Sequence, residues 1–200
     1  MKTEIVCIMD VSGSMEIISK DAIGGFNAFI ESQKQVPGEA TVTLVLFNHE
    51  HMLRYQGVDI KDVKPLDNYT YVPSGTTALL DALGSTINSV GSRLSAMEQC
   101  NRPDKVLFCI TTDGQENSSH EFISDKVKEM IERQRSVYNW EFIFLAANQD
   151  AFATAGSIGI AKNMTRNYTA DSGGTRDAYV CMASLADSYR SGDNDKIPKN

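Results

Sequence analysis

Apolar residues along this chain fall into two kinds of pattern: short continuous runs, and longer stretches with a helical spacing. Glu4–Met9, Thr41–Phe47, Lys105–Thr111 and Glu141–Ala147 are nearly unbroken runs of β-branched and other apolar residues. Runs of that length suit strands covered on both faces. Between them, Asp21–Gln35 places Ile23, Phe26, Phe29 and Ile30 at helical intervals and closes at Pro37-Gly38. Ala78–Met97 carries Leu80, Leu83, Ile87, Val90, Leu94 and Met97 in steps of three and four, which predicts a long amphipathic helix. Ser124–Tyr138 predicts another, with Val127, Met130 and Ile131 inward and Ser124 as N-cap. Ala151–Ser157 reads as a short helix, and Thr175–Tyr189 as a final one with Ala178, Met182, Leu185 and Tyr189 on one stripe. The weaker patterns predict an edge strand at His51–Gln56, a last strand at Asn163–Tyr168, and a loop with one helical turn over 57–75, where Pro65 and Pro73 fall. Gly173-Gly174 reads as a turn, and Ser191–Asn200 as a polar, fraying tail.

Strand and helix therefore alternate. That rhythm predicts an α/β fold: a doubly wound, mostly parallel central sheet of about six strands, one of them an antiparallel edge strand, flanked by helices and Rossmann-like in plan. One domain is expected over 1–190, followed by the tail at 191–200. In open sheets of this kind, ligands bind beyond the carboxyl ends of the strands.

Composition narrows the classes of function. The chain has 200 residues, 42% of them hydrophobic and 22% charged, so a packed core is within reach and global disorder is not expected. Its net charge of −7 argues against nucleic acid as the main partner, because binding phosphates takes clustered Lys and Arg. Apolar runs are far shorter than the ~20 residues of a membrane span, and the N-terminal residues do not read as a signal peptide. The four cysteines, Cys7, Cys100, Cys109 and Cys181, lack metal-ligand spacing and read as reduced thiols. A cytoplasmic protein is the expectation.

Chemistry gathers at three predicted element boundaries. The first strand ends in Asp10-Val11-Ser12-Gly13-Ser14, and the central strand in Thr112-Asp113-Gly114. Ser74-Gly75-Thr76-Thr77 leads into the long helix. Asp10, Ser12, Ser14, Thr77 and Asp113 thus supply two carboxylates and three hydroxyls near one edge. Such donors suit Mg²⁺, which takes about six hard oxygen ligands and usually keeps several waters. Two negative charges leave the ion electron-poor and ready to accept a further carboxylate from outside. Read alone, each motif is also compatible with helix capping.

These motifs, with Ala78-Leu79-Leu80-Asp81-Ala82-Leu83 and Ile110-Thr111 on either side, resemble the von Willebrand factor type A domain and its metal-ion-dependent adhesion site. The resemblance covers residues 3–190 and extends to Gly25-Phe26-Asn27-Ala28-Phe29-Ile30, a run similar to compact single-domain versions in bacterial and phage genomes. It implies that Ser12 and Ser14 ligate the metal directly, Asp10 and Asp113 directly or through water, and Thr77 conditionally, with Thr76 the lesser candidate. It implies Mg²⁺, with Mn²⁺ or Ca²⁺ as alternatives, and a partner protein whose Asp or Glu completes the coordination.

The reading that follows is a non-enzymatic, metal-dependent protein-binding module. Its rim, residues 48–75 and 114–123, would set partner choice, with His49, Gly75, Thr76, Gln115 and Glu116 as candidate contacts. Self-association is a further reading, in which an acid of one copy reaches the metal of the next. A hydrolase or phosphotransferase with Asp10 as nucleophile is the enzymatic alternative; it lacks a second carboxylate two residues on, where Ser12 stands, and no phosphate loop or nucleophile elbow is present. His49 and His51 could share a strand face as a transition-metal pair, although a rim position is the plainer reading. His120 is expected in a surface loop. Asp81 is expected at the helix N-terminal dipole or near the site, and Asn148 and Asp150 on the rim, Asp150 as a cap.

Overall fold

The computed structural model describes residues 1–147 and 151–193. Six strands, β1 (Lys2–Asp10), β2 (Glu39–Phe47), β3 (His51–Asp59), β4 (Lys105–Thr112), β5 (Glu141–Ala147) and β6 (Thr165–Tyr168), form one sheet in the order β3-β2-β1-β4-β5-β6. Five helices flank it: α1 (Ser19–Gln35), α2 (Leu79–Ala96), α3 (Ser124–Tyr138), α4 (Ala151–Ser157) and α5 (Ser172–Ser191). β1 pairs in parallel with β2 and β4, β4 with β5, and β5 with β6. Only β3 runs antiparallel. The turn at 48–50 is too short for a crossover, so the chain can only double back on β2.

Side chains of β1, β4 and β5 are buried along almost their whole length, as the continuous apolar runs require. β3 is mostly exposed and its register to β2 shifts around Leu44, a bulge that suits an edge strand. α1 packs on α5, whereas α2 packs on α3 and α3 on α4. Right-handed crossovers account for this division: the connection from β1 to β2 moves one way along the sheet, and the later ones move the other way. The order therefore reverses between β1 and β4, and a crevice opens at their carboxyl ends.

Several predicted boundaries shift. A 3-10 turn, Gly13–Ile18, precedes α1, and β3 continues to Asp59 before a second such turn at Ile60–Asp62. Ser124 is the first residue of α3, not its cap; its hydroxyl donates to Ser157 O at 3.1 Å across to α4. Gly173 and Gly174 lie in the first turn of α5, with Asp171 as N-cap accepting from Gly174 N at 2.7 Å. A side chain at Gly174 would overlap the Thr169 carbonyl, so close approach, not turn formation, calls for glycine there. Ser191 is helical, and the rest of the expected tail from 194 onward lies outside the described residues, as do Asn148 and Asp150. All four cysteines are free thiols, with Cys7 and Cys109 buried as register neighbours on β1 and β4. Among the described residues, no helix is long and apolar enough to cross a membrane.

Candidate metal centre

The crevice between β1 and β4 is where the predicted donors meet. Asp10 is the last residue of β1 and is fully buried. Its Oδ1 accepts from Ser12 N at 2.7 Å, curling the chain so that Ser12 and Ser14 follow in a tight turn. Its Oδ2 accepts from Thr112 Oγ1 at 2.6 Å, which ties the end of β1 to the end of β4. Ser14 Oγ donates to Asp113 Oδ1 at 2.7 Å and lies 3.1 Å from Ser12 Oγ. Asp113, Ser14 and Ser12 thus form one hydrogen-bonded row.

Thr77 arrives from the third segment. That segment has no regular structure, yet it is fastened at many points. Ser74 N donates to Val11 O at 2.7 Å, Gly13 N to Gly75 O at 3.0 Å, and Ala78 N to Asn48 O at 2.7 Å. Asn48 Nδ2 donates to Ser74 O at 2.9 Å. Gly75 adopts φ +74°, which favours glycine, and a side chain there would also collide with His49. Tyr71, buried, donates its hydroxyl to Asp10 O at 2.5 Å, and Tyr168 donates to Thr112 O at 3.3 Å.

Gly114 shows how closely the three hydroxyls converge. A Cβ built on it would lie 3.0 Å from Thr77 Oγ1, 3.5 Å from Ser14 Oγ and 3.9 Å from Ser12 Oγ. Two hydroxyls from the turn after β1 and one from the segment before α2 face one small cradle, beside the loop after β4, that a single methyl group would crowd. Ser12, Thr77 and Asp113 are buried, while Ser14 opens to solvent.

The electrostatics are one-sided. Burial pushes the Asp10 carboxyl up to about 6, against the hydrogen bonds from Thr112 and Ser12 that lower it, and the neighbouring Asp113 adds to the rise. Burial also raises the Asp113 carboxyl. Neither aspartate takes part in an ion pair among the described residues. No group of three or more His, Cys, Asp or Glu side chains gathers as a metal site among the described residues, so this cluster is distinguished by its mixture of carboxylates with hydroxyls. Hard oxygens, two of them on unneutralised carboxylates, are the donor chemistry that Mg²⁺ or Mn²⁺ takes.

The loop after β4 is locked to α2 by partners the sequence did not reveal. Asn117 brackets Thr77: its Oδ1 accepts from Thr77 N at 3.0 Å and its amide donates to Thr77 O at 3.0 Å. Glu116 is turned inward onto amides, accepting from Leu80 N at 3.0 Å, Ser118 N at 2.9 Å and Ser119 N at 2.8 Å. Asp81 answers from α2 by accepting from His120 N, Glu121 N and Phe122 N at 2.8–2.9 Å. Gly84 leaves room for the Phe122 ring. Of the other rim candidates, His49, Gly75, Thr76 and Gln115 are exposed. His49 lies in the turn at 48–50 and His51 opens β3, so the two do not share a strand face. His120 is exposed as expected for a loop residue.

No protein-family model matches this sequence, and no curated protein does. Solved structures do match. Proximal thread matrix protein 1 from the mussel byssus, with a zinc-occupied MIDAS motif, has TM-score 0.65 and 14% identity over 92% of this chain and 48% of that chain. A von Willebrand factor type A protein from Catenulispora acidiphila has TM-score 0.61 and 15% identity over 91% of this chain and 42% of that one. The manganese-loaded TRAP protein of Plasmodium vivax has TM-score 0.59 and 15% identity over 84% and 68%. The fold is that of a von Willebrand factor type A domain. The chain spans about half the length of the first two of these structures. Two of the three von Willebrand factor A structures carry a metal, zinc in one and manganese in the other. At these identities the likeness concerns the fold, and what the cluster in this chain does rests on its own residues.

Proposed function

We propose that this chain is a divalent-metal-dependent protein-binding module, with Asp10, Ser12, Ser14, Thr77 and Asp113 as a metal-ion-dependent adhesion site. The observation that carries the reading is the cradle beside Gly114, where three hydroxyls from two segments meet next to two buried carboxylates that have no basic partner among the described residues. Mg²⁺ is the metal these donors suit best, and zinc and manganese in two structures of this fold support divalent binding in general. The ion would supply a positive, electron-poor centre at the exposed edge, able to attract an Asp or Glu of a partner. The protein's own part is positional. Thr112 and Ser12 hold Asp10, Asn117 holds Thr77, and Tyr71 holds the carbonyl of Asp10.

Recognition is favoured over catalysis by the state of Asp10. Asp10 has no exposed surface from which to attack a substrate, whereas the hydroxyl of Ser14 beside it opens to solvent. A nucleophile needs direct access to its substrate.

Metal-stripped protein titrated with Mg²⁺ and Mn²⁺ in thermal denaturation and calorimetry tests the reading. At a hundredfold excess over Kd, specific binding adds about 2.7 kcal/mol. Ser12→Ala and Asp10→Ala are expected to abolish the gain. Equal stabilisation of wild type and both variants, or partner capture from a host lysate that persists in chelator, would overturn it. A metal-dependent increase in particle size in light scattering would identify the partner as a second copy.

A further inference from the structure

We propose that the crevice between the C-terminal halves of α2 and α3, at the edge of the sheet opposite the metal centre, binds a small organic anion with a flat apolar body. It encloses about 450 Å³, within the range of small-molecule sites. Its lining is rich in donors. Arg102 is fixed by its bonds from Nε to Met97 O at 3.0 Å and from Nη2 to Ser95 O at 2.9 Å. That leaves its Nη1 with no protein acceptor among the described residues. Arg133 makes no ion pair or side-chain hydrogen bond among the described residues, and the side-chain amides of Asn88 and Gln134 line the same space. The one carboxylate in the lining, Asp104, already accepts from Lys2 N at 2.7 Å.

The apolar half is Trp140. The residue is 6% exposed, and its ring is held by stacking on Phe108, with ring centroids 5.4 Å apart. Gly91 of α2 faces it: a Cβ there would sit 4.0 Å from the indole edge, so the absence of a side chain keeps the space open. Arg102 Nη1 and the Arg133 guanidinium, lining the same crevice as the Trp140 edge, match a carboxylate or sulfonate carried on a planar ring, because guanidinium donors hold such anions and the indole edge and Gly91 leave an apolar slot for the ring. A chain of net charge −7 has little general attraction for anions, so binding of one would report this crevice.

The test uses 1-anilinonaphthalene-8-sulfonate, with emission excited through Trp140, the single tryptophan of the chain. Saturable transfer is expected for wild type in metal-stripped buffer, since the crevice does not depend on the metal centre. Arg102→Gln combined with Arg133→Gln is expected to weaken the probe at least tenfold. Gly91→Leu is expected to remove the saturable phase with the melting temperature nearly unchanged. Absence of saturation, variants within twofold of wild type, or equal binding of the neutral N-phenyl-1-naphthylamine would each overturn the proposal.

Discussion

β1 carries a buried carboxylate at each end, and the two are treated in opposite ways. Glu4, near the start of the strand, is 1% exposed and is paired with Arg93 of α2, while Thr43 Oγ1 donates to the same carboxylate oxygen at 2.7 Å. Asp10, at the far end, is equally buried but is met by a hydroxyl and an amide, with no cation beside it among the described residues. The fold neutralises a buried acid where it is structural. It leaves one uncompensated where the strand order reverses and the crevice opens. Burying an unpaired carboxylate is costly, so its retention at the carboxyl edge, where the strand order reverses, is consistent with a counter-ion from outside the chain.

The sharpest way to break this contrast is to remove the cation at the structural end. Arg93→Met keeps the stem but strands Glu4, and a loss of about 3 kcal/mol or more in urea unfolding is expected. Mg²⁺ affinity should be unchanged, because the pair lies at the opposite end of β1. Adding Glu4→Leu to Arg93→Met should restore most of the loss. A loss under about 1 kcal/mol for Arg93→Met would show that Glu4 does not depend on its partner.

At the other end the same logic has the opposite sign. The Asp10 carboxyl is raised from 3.8 to about 6 in the native state, so the folded protein holds its proton more tightly than the unfolded chain does. The associated stability is fully present below about pH 4 and is lost as pH rises through about 6, a difference of about 3 kcal/mol at most. Metal-stripped Asp10→Asn should therefore be more stable than metal-stripped wild type at pH 7.5, by about 2 kcal/mol, and should lack the Mg²⁺ response. Chemical denaturation at pH 4.5 and 7.5 checks this. A wild type equally stable at both pH values relative to Asp10→Asn would remove the asymmetry.

How much of this was legible in sequence follows the range of the interactions. Buried strands are read from runs such as Val6–Met9 because burial on both faces leaves no polar position. The site donors are read because Asp10, Ser12 and Ser14 are neighbours in sequence and fall at a strand end. Sequence does not mark Asn117, Glu116 and Tyr71 as holders of the site, and it places Asp81 near the site without its partners, since these bonds span roughly forty residues or more and leave no periodic trace. Glu116 illustrates the difficulty: an acidic residue on a rim loop reads as a surface contact, whereas its carboxylate is occupied by amides at the start of α2. β3 extended past its predicted end because edge strands tolerate polar residues and a glycine, so their pattern fades into loop.

Gly114→Ala sharpens the comparison at smaller scale. The added methyl group would sit 3.0 Å from Thr77 Oγ1, tight enough to displace the hydroxyl, and the backbone there does not require glycine. A roughly tenfold loss of Mg²⁺ affinity is expected, about 1.4 kcal/mol, with unfolding in the absence of metal nearly unchanged. Unaltered affinity would mean that the cradle beside Gly114 is not where the metal is held.

The smallest expected effect separates donors from the groups that hold them. Asn117→Ala removes the bond from Thr77 N to its Oδ1 but retains the backbone bond from Asn117 N to Thr77 O. One lost hydrogen bond of this kind amounts to about 1 kcal/mol. If Thr77 binds metal and Asn117 only places it, Mg²⁺ affinity should fall about threefold to fivefold, less than for Thr77→Ala, and Thr77→Ala combined with Asn117→Ala should be no weaker than Thr77→Ala alone. That non-additivity is what a shared pathway predicts. Fully additive losses would mean that Asn117 supports the site independently of Thr77, and the hydroxyl at 77 would lose its claim as a ligand held in place by the loop after β4.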